Sequence, residues 1–196
     1  QKLFFHPSMA KNRLSAARQG RSEDLLVKAC RLQEGDDFLD CTLGLGADSI
    51  VAAYFTVSGK ITALEYVPAV AYTIKWGMRL YQSKMPWLQA AIDRIEVINA
   101  DHQGFLKTLT DQSYDVVYFD PMFEKPLLKS QPIAPLRNLA FHHPLDSQAI
   151  REACRVARKT VVLKDLAYSQ DFERLGFKKR VGGKHNKINY GVIDIS

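Results

Sequence analysis

At 196 residues the chain is long enough for one domain with a sizeable core, and nothing in its length requires two. Hydrophobic residues make up 46% and charged residues 24%, ordinary globular usage that excludes a disordered or fibrous chain, and no apolar run approaches the roughly 18 residues of a membrane-spanning helix. A net charge of +6 favours polyanionic partners without establishing one.

Cys30, Cys41 and Cys154 are odd in number, widely spaced and without a CxxC pair. That pattern gives neither a disulfide framework nor a zinc site and reads as buried thiols in a reducing cytoplasm. No charged-then-apolar leader precedes the core, and the opening Gln1 in place of Met reads as an excised or truncated chain.

Residues 1–21 carry Lys2, Lys11, Arg13, Arg18 and Arg21 with little periodicity and read as an irregular basic arm ahead of a domain over 22–196. Ser22 is expected to cap a first helix running to about Leu32, with Gly35 as its stop. Short apolar strands then alternate with helices: a strand over 37–41, a helix over 47–55, a strand over 60–65, and a helix from Pro68 to about Tyr81. A third strand over 94–99, a short helix over 102–109 and a fourth strand over 114–119 follow, and then a loop rich in Pro and Lys from Pro121 to about Leu139. A helix over 147–157, a strand over 160–164 and a helix over 169–175 complete the alternation. Segments 177–181 and 187–195, parted by Gly182 and Gly183, predict an antiparallel hairpin. This βαβ rhythm with a terminal hairpin describes a seven-stranded, mostly parallel α/β sheet.

Two turns carry the chemical signals. Gly44 and Gly46 leave the first strand and enter a helix, so backbone can approach a ligand closely and the helix offers unpaired N–H groups. Glu65, about 20 residues on, suits a ribose diol, as in the dinucleotide fingerprint, but Ser49 stands where that fingerprint has its third glycine. Asp40, two residues before Thr42, makes this segment resemble the first motif of class I methyltransferases, a Rossmann-like fold that binds S-adenosylmethionine. Asp101, after the third strand, is placed to accept from an adenine amino group, with His102 beside it; Asp101 also suits a helix cap.

The second turn is Asp120-Pro121-Met122-Phe123, which directly follows the fourth strand. It resembles the Asp/Asn-Pro-Pro-Tyr/Phe motif of enzymes that methylate exocyclic amines, with Met122 in place of the second proline. An aryl amine attacks poorly because its lone pair is delocalised into the ring. Acceptors that hold its hydrogens, here Asp120 and the Pro121 carbonyl, orient the nitrogen, while Phe123 would stack on an extruded base.

Together, Asp40-Cys-Thr-Leu-Gly-Leu-Gly-Ala-Asp48 and Asp120-Pro-Met-Phe123 resemble the RsmJ family of small-subunit rRNA guanine-N2 methyltransferases, as does Met9-Ala-Lys-Asn-Arg13. The resemblance runs from about Met9 to the end; that family usually carries an extra amino-terminal region. It implies cofactor contacts at Ala47, Asp48, Glu65, Tyr66, Asp101, His102 and Asp120, beside those expected from the glycine turn itself at Asp40, Thr42, Gly44 and Gly46. Ala47 and Tyr66 each stand where enterobacterial members have Arg. It also implies a ribosomal RNA partner and a cytoplasmic setting. Lys11, Arg13, Lys125, Lys129, Arg137 and Lys164 are the expected substrate contacts, with Lys164 able instead to pair with a carboxylate. His142 and His143 lack companions at metal-ligand spacing, so no metal is expected. Two other acceptor readings stay open: N6 methylation of adenine, and a non-catalytic nucleic-acid-binding module that keeps the cofactor pocket.

Overall fold

A computed structural model describes residues 3–121, 145–183 and 186–195. Seven strands form one sheet: β1 (Phe38–Asp40), β2 (Ile61–Glu65), β3 (Ile95–Asn99), β4 (Tyr114–Phe119), β5 (Ala157–Leu166), β6 (Lys179–Val181) and β7 (Ile188–Asp194). Their order is β3-β2-β1-β4-β5-β7-β6. The first five are parallel, and β7 runs antiparallel to both β5 and β6. Both the alternating pattern and the terminal hairpin therefore appear as read, in a Rossmann-like mixed sheet.

Helices cover both faces. On one lie α1 (Ser8–Arg18), α2 (Leu25–Cys30), α3 (Ala47–Thr56), α4 (Pro68–Leu80) and α5 (Pro86–Asp93); on the other lie α6 (His102–Thr108), α7 (Ser147–Val156) and α8 (Asp171–Arg174). With both faces covered, the central strands are apolar almost throughout, as parallel strands must be. Side-chain alternation sorts them. Phe38, Ile61, Ala63, Val116, Tyr118, Val162, Tyr190 and Val192 pack towards α3, while Leu39, Leu64, Val117, Phe119, Val161 and Leu163 pack towards α7. The same period of two sends Asp40, Glu65, Asp120 and Lys164 to the α3 side at the carboxyl ends of their strands.

Several expectations are corrected. Residues 8–18 are helical rather than irregular: Ala10 and Leu14 are fully buried in the same core as the strands. Only these two residues of α1 enter the core, spaced four apart, so the apolar periodicity is too sparse to read. Asp24, not Ser22, caps α2, accepting from the Leu26 N–H at 3.0 Å, and α2 ends at Cys30 with Arg31 in a left-handed conformation. Helix α5 was not expected, although Pro86 in its first turn and Leu88, Ala91 and Ile92 at helical spacing mark it. Strand β5 is longer than the predicted five residues because β7 pairs along it from Thr160 to Leu166 and Ala157 pairs with Tyr114. The helix expected over 169–175 shrinks to Asp171–Arg174.

Among the described residues no helix is long and apolar enough to cross a membrane. Cys30 and Cys41 are buried and Cys154 partly so, and none is disulfide-bonded.

Candidate active site

Strand order reverses between β1 and β4, and an open α/β sheet binds ligands beyond the carboxyl ends of its strands at such a point. Asp40 ends β1 and Asp120 follows β4 on the two sides of this crevice. The turns are tied directly: the Cys41 N–H donates to the Tyr118 carbonyl at 2.9 Å, and the Asp120 N–H to Thr42 Oγ1 at 2.6 Å. The glycine turn and the Asp-Pro turn, 78 residues apart in sequence, thus form one structure.

Within the glycine turn, Gly46 sits at φ +78°, a left-handed conformation, and a Cβ there would fall 2.4 Å from Met78 Cε. The left-handed backbone disfavours any side chain there, and a Cβ would also displace the flexible end of Met78. Gly46 also occupies the cap position of α3, and no side chain caps that helix, so its first-turn N–H groups are available to a ligand. Glu65 accepts from the Gly44 N–H at 3.2 Å through one carboxylate oxygen and from the Val67 N–H at 2.9 Å through the other. Burial raises its pKa above the ordinary value. This fixes its carboxylate at the end of β2 beside the turn, with lone pairs left for a diol. Tyr66 follows, 44% exposed.

Asp101 caps α6, accepting from the Gly104 N–H at 3.1 Å, and keeps much of its side chain exposed. Beside it His102 packs edge-on against Phe119, at 5.7 Å between ring centroids. Its Nε2 is buried without a hydrogen-bond partner among the described residues, and burial lowers its pKa. A buried, unpaired polar atom in a crevice indicates a missing partner. The open helix end, the anchored Glu65 and this nitrogen are groups of the kind that S-adenosylmethionine would engage.

The two carboxylates of the glycine turn differ sharply. Asp40 is buried and, among the described residues, accepts only from neutral groups: Ser49 Oγ at 2.5 Å, the Thr42 N–H at 2.9 Å and Thr42 Oγ1 at 3.5 Å. Burial outweighs those bonds and pushes its pKa up to about 7. Asp48 is equally enclosed but meets cations: Arg13 Nη1 on Oδ1, and Lys164 Nζ at 2.8 Å on Oδ2, which also accepts from the Tyr118 hydroxyl at 2.9 Å. Burial alone would raise Asp48, but Lys164 and Arg13 hold it well below the carboxylate range. Lys164 Nζ also donates to Asp120 Oδ2 at 2.6 Å. Burial raises Asp120, the lysine opposes it, and the outcome is a pKa of about 6.

Arg13, expected as a substrate contact, faces inward, and Lys164 takes the carboxylate pairing expected as its alternative. Arg13 grips Asp24 at 2.8 Å through Nε and again through Nη2, and reaches Asp48; Lys164 lies between Asp48 and Asp120. Their charges are matched by carboxylates of the protein, of which Asp48 is buried and Asp24 and Asp120 partly so. Lys11 is partly exposed on α1, and Pro121 follows Asp120 at the crevice. Phe123, Lys125, Lys129 and Arg137, like His142 and His143, lie outside the described residues. Among the described residues no cluster of His, Cys, Asp or Glu could hold a metal ion. Sequence reasoning missed Ser49 and Tyr118 as polar partners. Tyr118 carried a signal, because it lies two residues before Asp120 and so on the same face of β4.

Comparison with known proteins places this geometry among relatives. A family model described as "Putative SAM-dependent methyltransferase" matches residues 4–190. The whole chain is 46% identical to YpiP, an uncharacterized protein of Bacillus subtilis strain 168, and covers 76% of it. Over 108 residues it is 34% identical to ribosomal RNA small subunit methyltransferase J of Acinetobacter baumannii strain SDF; the match spans 54% of this chain but only 38% of that protein. The crystal structure of a SAM-dependent methyltransferase from Neisseria gonorrhoeae is similar with a TM-score of 0.67 at 25% identity, over 99% of this chain and 74% of the other.

Proposed function

Because the chain belongs to the S-adenosylmethionine-dependent methyltransferase family, we propose that it methylates the exocyclic N2 amine of a guanine in small-subunit ribosomal RNA. The observation that carries this reading is the hydrogen bond from the Asp120 N–H to Thr42 Oγ1, which seats an amine-orienting Asp-Pro turn on the edge of the cofactor crevice. The named activity of methyltransferase J relatives supports the ribosomal substrate, and the chain's charge of +6 suits it.

The turn from Thr42 to Asp48, with Glu65 for the ribose and Asp101 and His102 for the adenine, would hold S-adenosylmethionine. Bound there, it supplies a methyl carbon made electrophilic by its sulfonium, whose sulfur keeps the bonding pair when the carbon is transferred. The protein's part is orientation. With Oδ2 engaged by Lys164, Asp120 offers Oδ1 to one amine hydrogen, and the Pro121 carbonyl takes the other. Held this way, the nitrogen turns its lone pair towards the incoming carbon. Orientation effects reach roughly 7–11 kcal/mol in favourable cases. As the nitrogen–carbon bond forms, the nitrogen sheds one hydrogen as a proton, and ionised Asp120 stands within reach to take it. Phe123, beyond Pro121, would stack on the base, and Lys11, Lys125, Lys129 and Arg137 would meet phosphates.

The test is transfer of labelled methyl to small ribosomal subunits lacking the modification, with Asp120→Ala beside the wild type and the product nucleoside identified by mass. N2-methylguanosine from the wild type, with the variant slower by on the order of 10²–10⁴-fold, is the expected result. N6-methyladenosine would move the reading to an adenine acceptor. No transfer despite S-adenosylhomocysteine binding would remove the ribosomal substrate.

A further inference from the structure

Lys164 projects from near the carboxyl end of β5, opposite Tyr190 of β7, and its side chain is 16% exposed. A lysine so enclosed requires carboxylate partners, and it has two, at 2.8 Å and 2.6 Å. Neither pair stands alone. Asp24, Arg13, Asp48, Lys164 and Asp120 form one line of alternating charge, drawn from the cap of α2, from α1, from α3, from β5 and from the end of β4. Asp48 is saturated, with Arg13 on one oxygen and Lys164 and Tyr118 on the other. Its position is set from three directions, and the lysine it holds is fixed in turn.

We infer that Lys164 is a positioning residue for the amine acceptor Asp120, and that Asp48, anchored by Arg13 of α1, sets how much of the lysine's charge reaches it. This inference rests on the methyl-transfer reading for what Asp120 does, but not for where its charge comes from. The lysine occupies Oδ2 and thereby fixes the rotation of the carboxylate, leaving Oδ1 to face the crevice. It also keeps Asp120 ionised in a half-buried setting, since a protonated carboxyl would donate where the amine needs an acceptor. Asp48 acts in the opposite sense: it competes for the lysine and repels Asp120 as a like charge. The remaining groups around Asp120 are Asp40 at the end of β1, Tyr118 on β4 and Tyr190 on β7. None is a cation, so Lys164 is the nearest source of stabilising charge among the described residues.

Opposite substitutions separate this role from a structural one. Removing Lys164 as Lys164→Met takes the stabilising charge from Asp120, whose pKa must rise. Asp48→Asn hands the lysine's full charge to Asp120 and removes the repulsion, so its pKa must fall. The carboxyl of Asp120 is followed by carbon-13 NMR across pH 4–9 in the wild type, Lys164→Met, Lys164→Arg and Asp48→Asn, without substrate. The wild type is expected to titrate near pH 6. Lys164→Met should bind the proton at least tenfold more tightly, Lys164→Arg should stay near the wild type, and Asp48→Asn should bind it more weakly. If Lys164→Met does not fold, the downward shift in Asp48→Asn and retention in Lys164→Arg decide the matter. Equal titration of Asp120 in every folded variant would overturn the inference. Where methyl transfer is measurable, the acid limb of its rate must move in the same directions. An unchanged NMR ordering with no transfer to any RNA would instead count against the proposed reaction alone.

Discussion

The two ends of the sheet carry similar groups to different effect. At the amino ends of β1, β4 and β5, Arg158 bridges Asp37 at 2.7 Å and Asp115 at 2.8 Å, and Lys159 meets Asp36 at 2.6 Å. At the carboxyl ends, Arg13 and Lys164 meet Asp24, Asp48 and Asp120. Both are ladders of acid and base across neighbouring elements. The side chains of Arg158 and Asp37 are 36% and 31% exposed, those of Lys164 and Asp48 only 16% and 9%. Water screens the Arg158–Asp37 pair of the first ladder and leaves that pair a fastening between strands. In the second, each charge depends on its neighbour, because an unpaired ion in low dielectric is costly. Burial separates a surface fastening from the arrangement inferred to set protonation at the crevice.

The contrast can be broken most severely at Asp48. Asp48→Ala leaves Arg13 and Lys164 short of a partner inside the protein, and chemical denaturation should show a loss of about 3–5 kcal/mol. A loss below 1 kcal/mol would mean that water reaches this ladder as it does the other. Leu14→Ala comes next. It cuts a fully buried side chain from α1, the helix that brings Arg13 to Asp48, and should cost about 2–5 kcal/mol. An unchanged midpoint would show that α1 is not part of the core and that the carboxyl-end ladder does not depend on it. Arg158→Gln should be mildest, within about 1 kcal/mol by the same denaturation measurement and without effect on cofactor binding.

How much of this was legible beforehand follows the same line. Strands β1 to β4 declare themselves as apolar runs, and both functional turns are local motifs of glycine, proline and aspartate at strand ends. Segment 157–159 of β5 did not, because Arg158 and Lys159 interrupt its apolar pattern for the sake of the amino-end ladder. Helix α1 hid because it buries only Ala10 and Leu14. The basic residues are the harder case for a physical reason. Arg13 looks like a phosphate ligand in sequence and Lys164 suits either a phosphate or a carboxylate, and only the fold brings Asp24, Asp48 and Asp120 to meet them. The alternation of β4 and β5 held part of the answer, since Tyr118, Asp120, Val162 and Lys164 share one face, but the approach of α1 and α3 to that face is a tertiary fact.

The central claim is that the cofactor lies at the carboxyl ends of β1 and β2, held by Glu65 and the glycine turn. Calorimetric titration with S-adenosylhomocysteine of the wild type, Glu65→Ala and Arg158→Gln tests it most directly. The account predicts saturable one-to-one binding in the wild type, the same affinity in Arg158→Gln, and at least a tenfold weaker complex in Glu65→Ala, since a lost hydrogen bond to a charged acceptor is worth about 1.5–3 kcal/mol. Equal affinity in all three, or loss on changing Arg158 with Glu65→Ala unaffected, would contradict it.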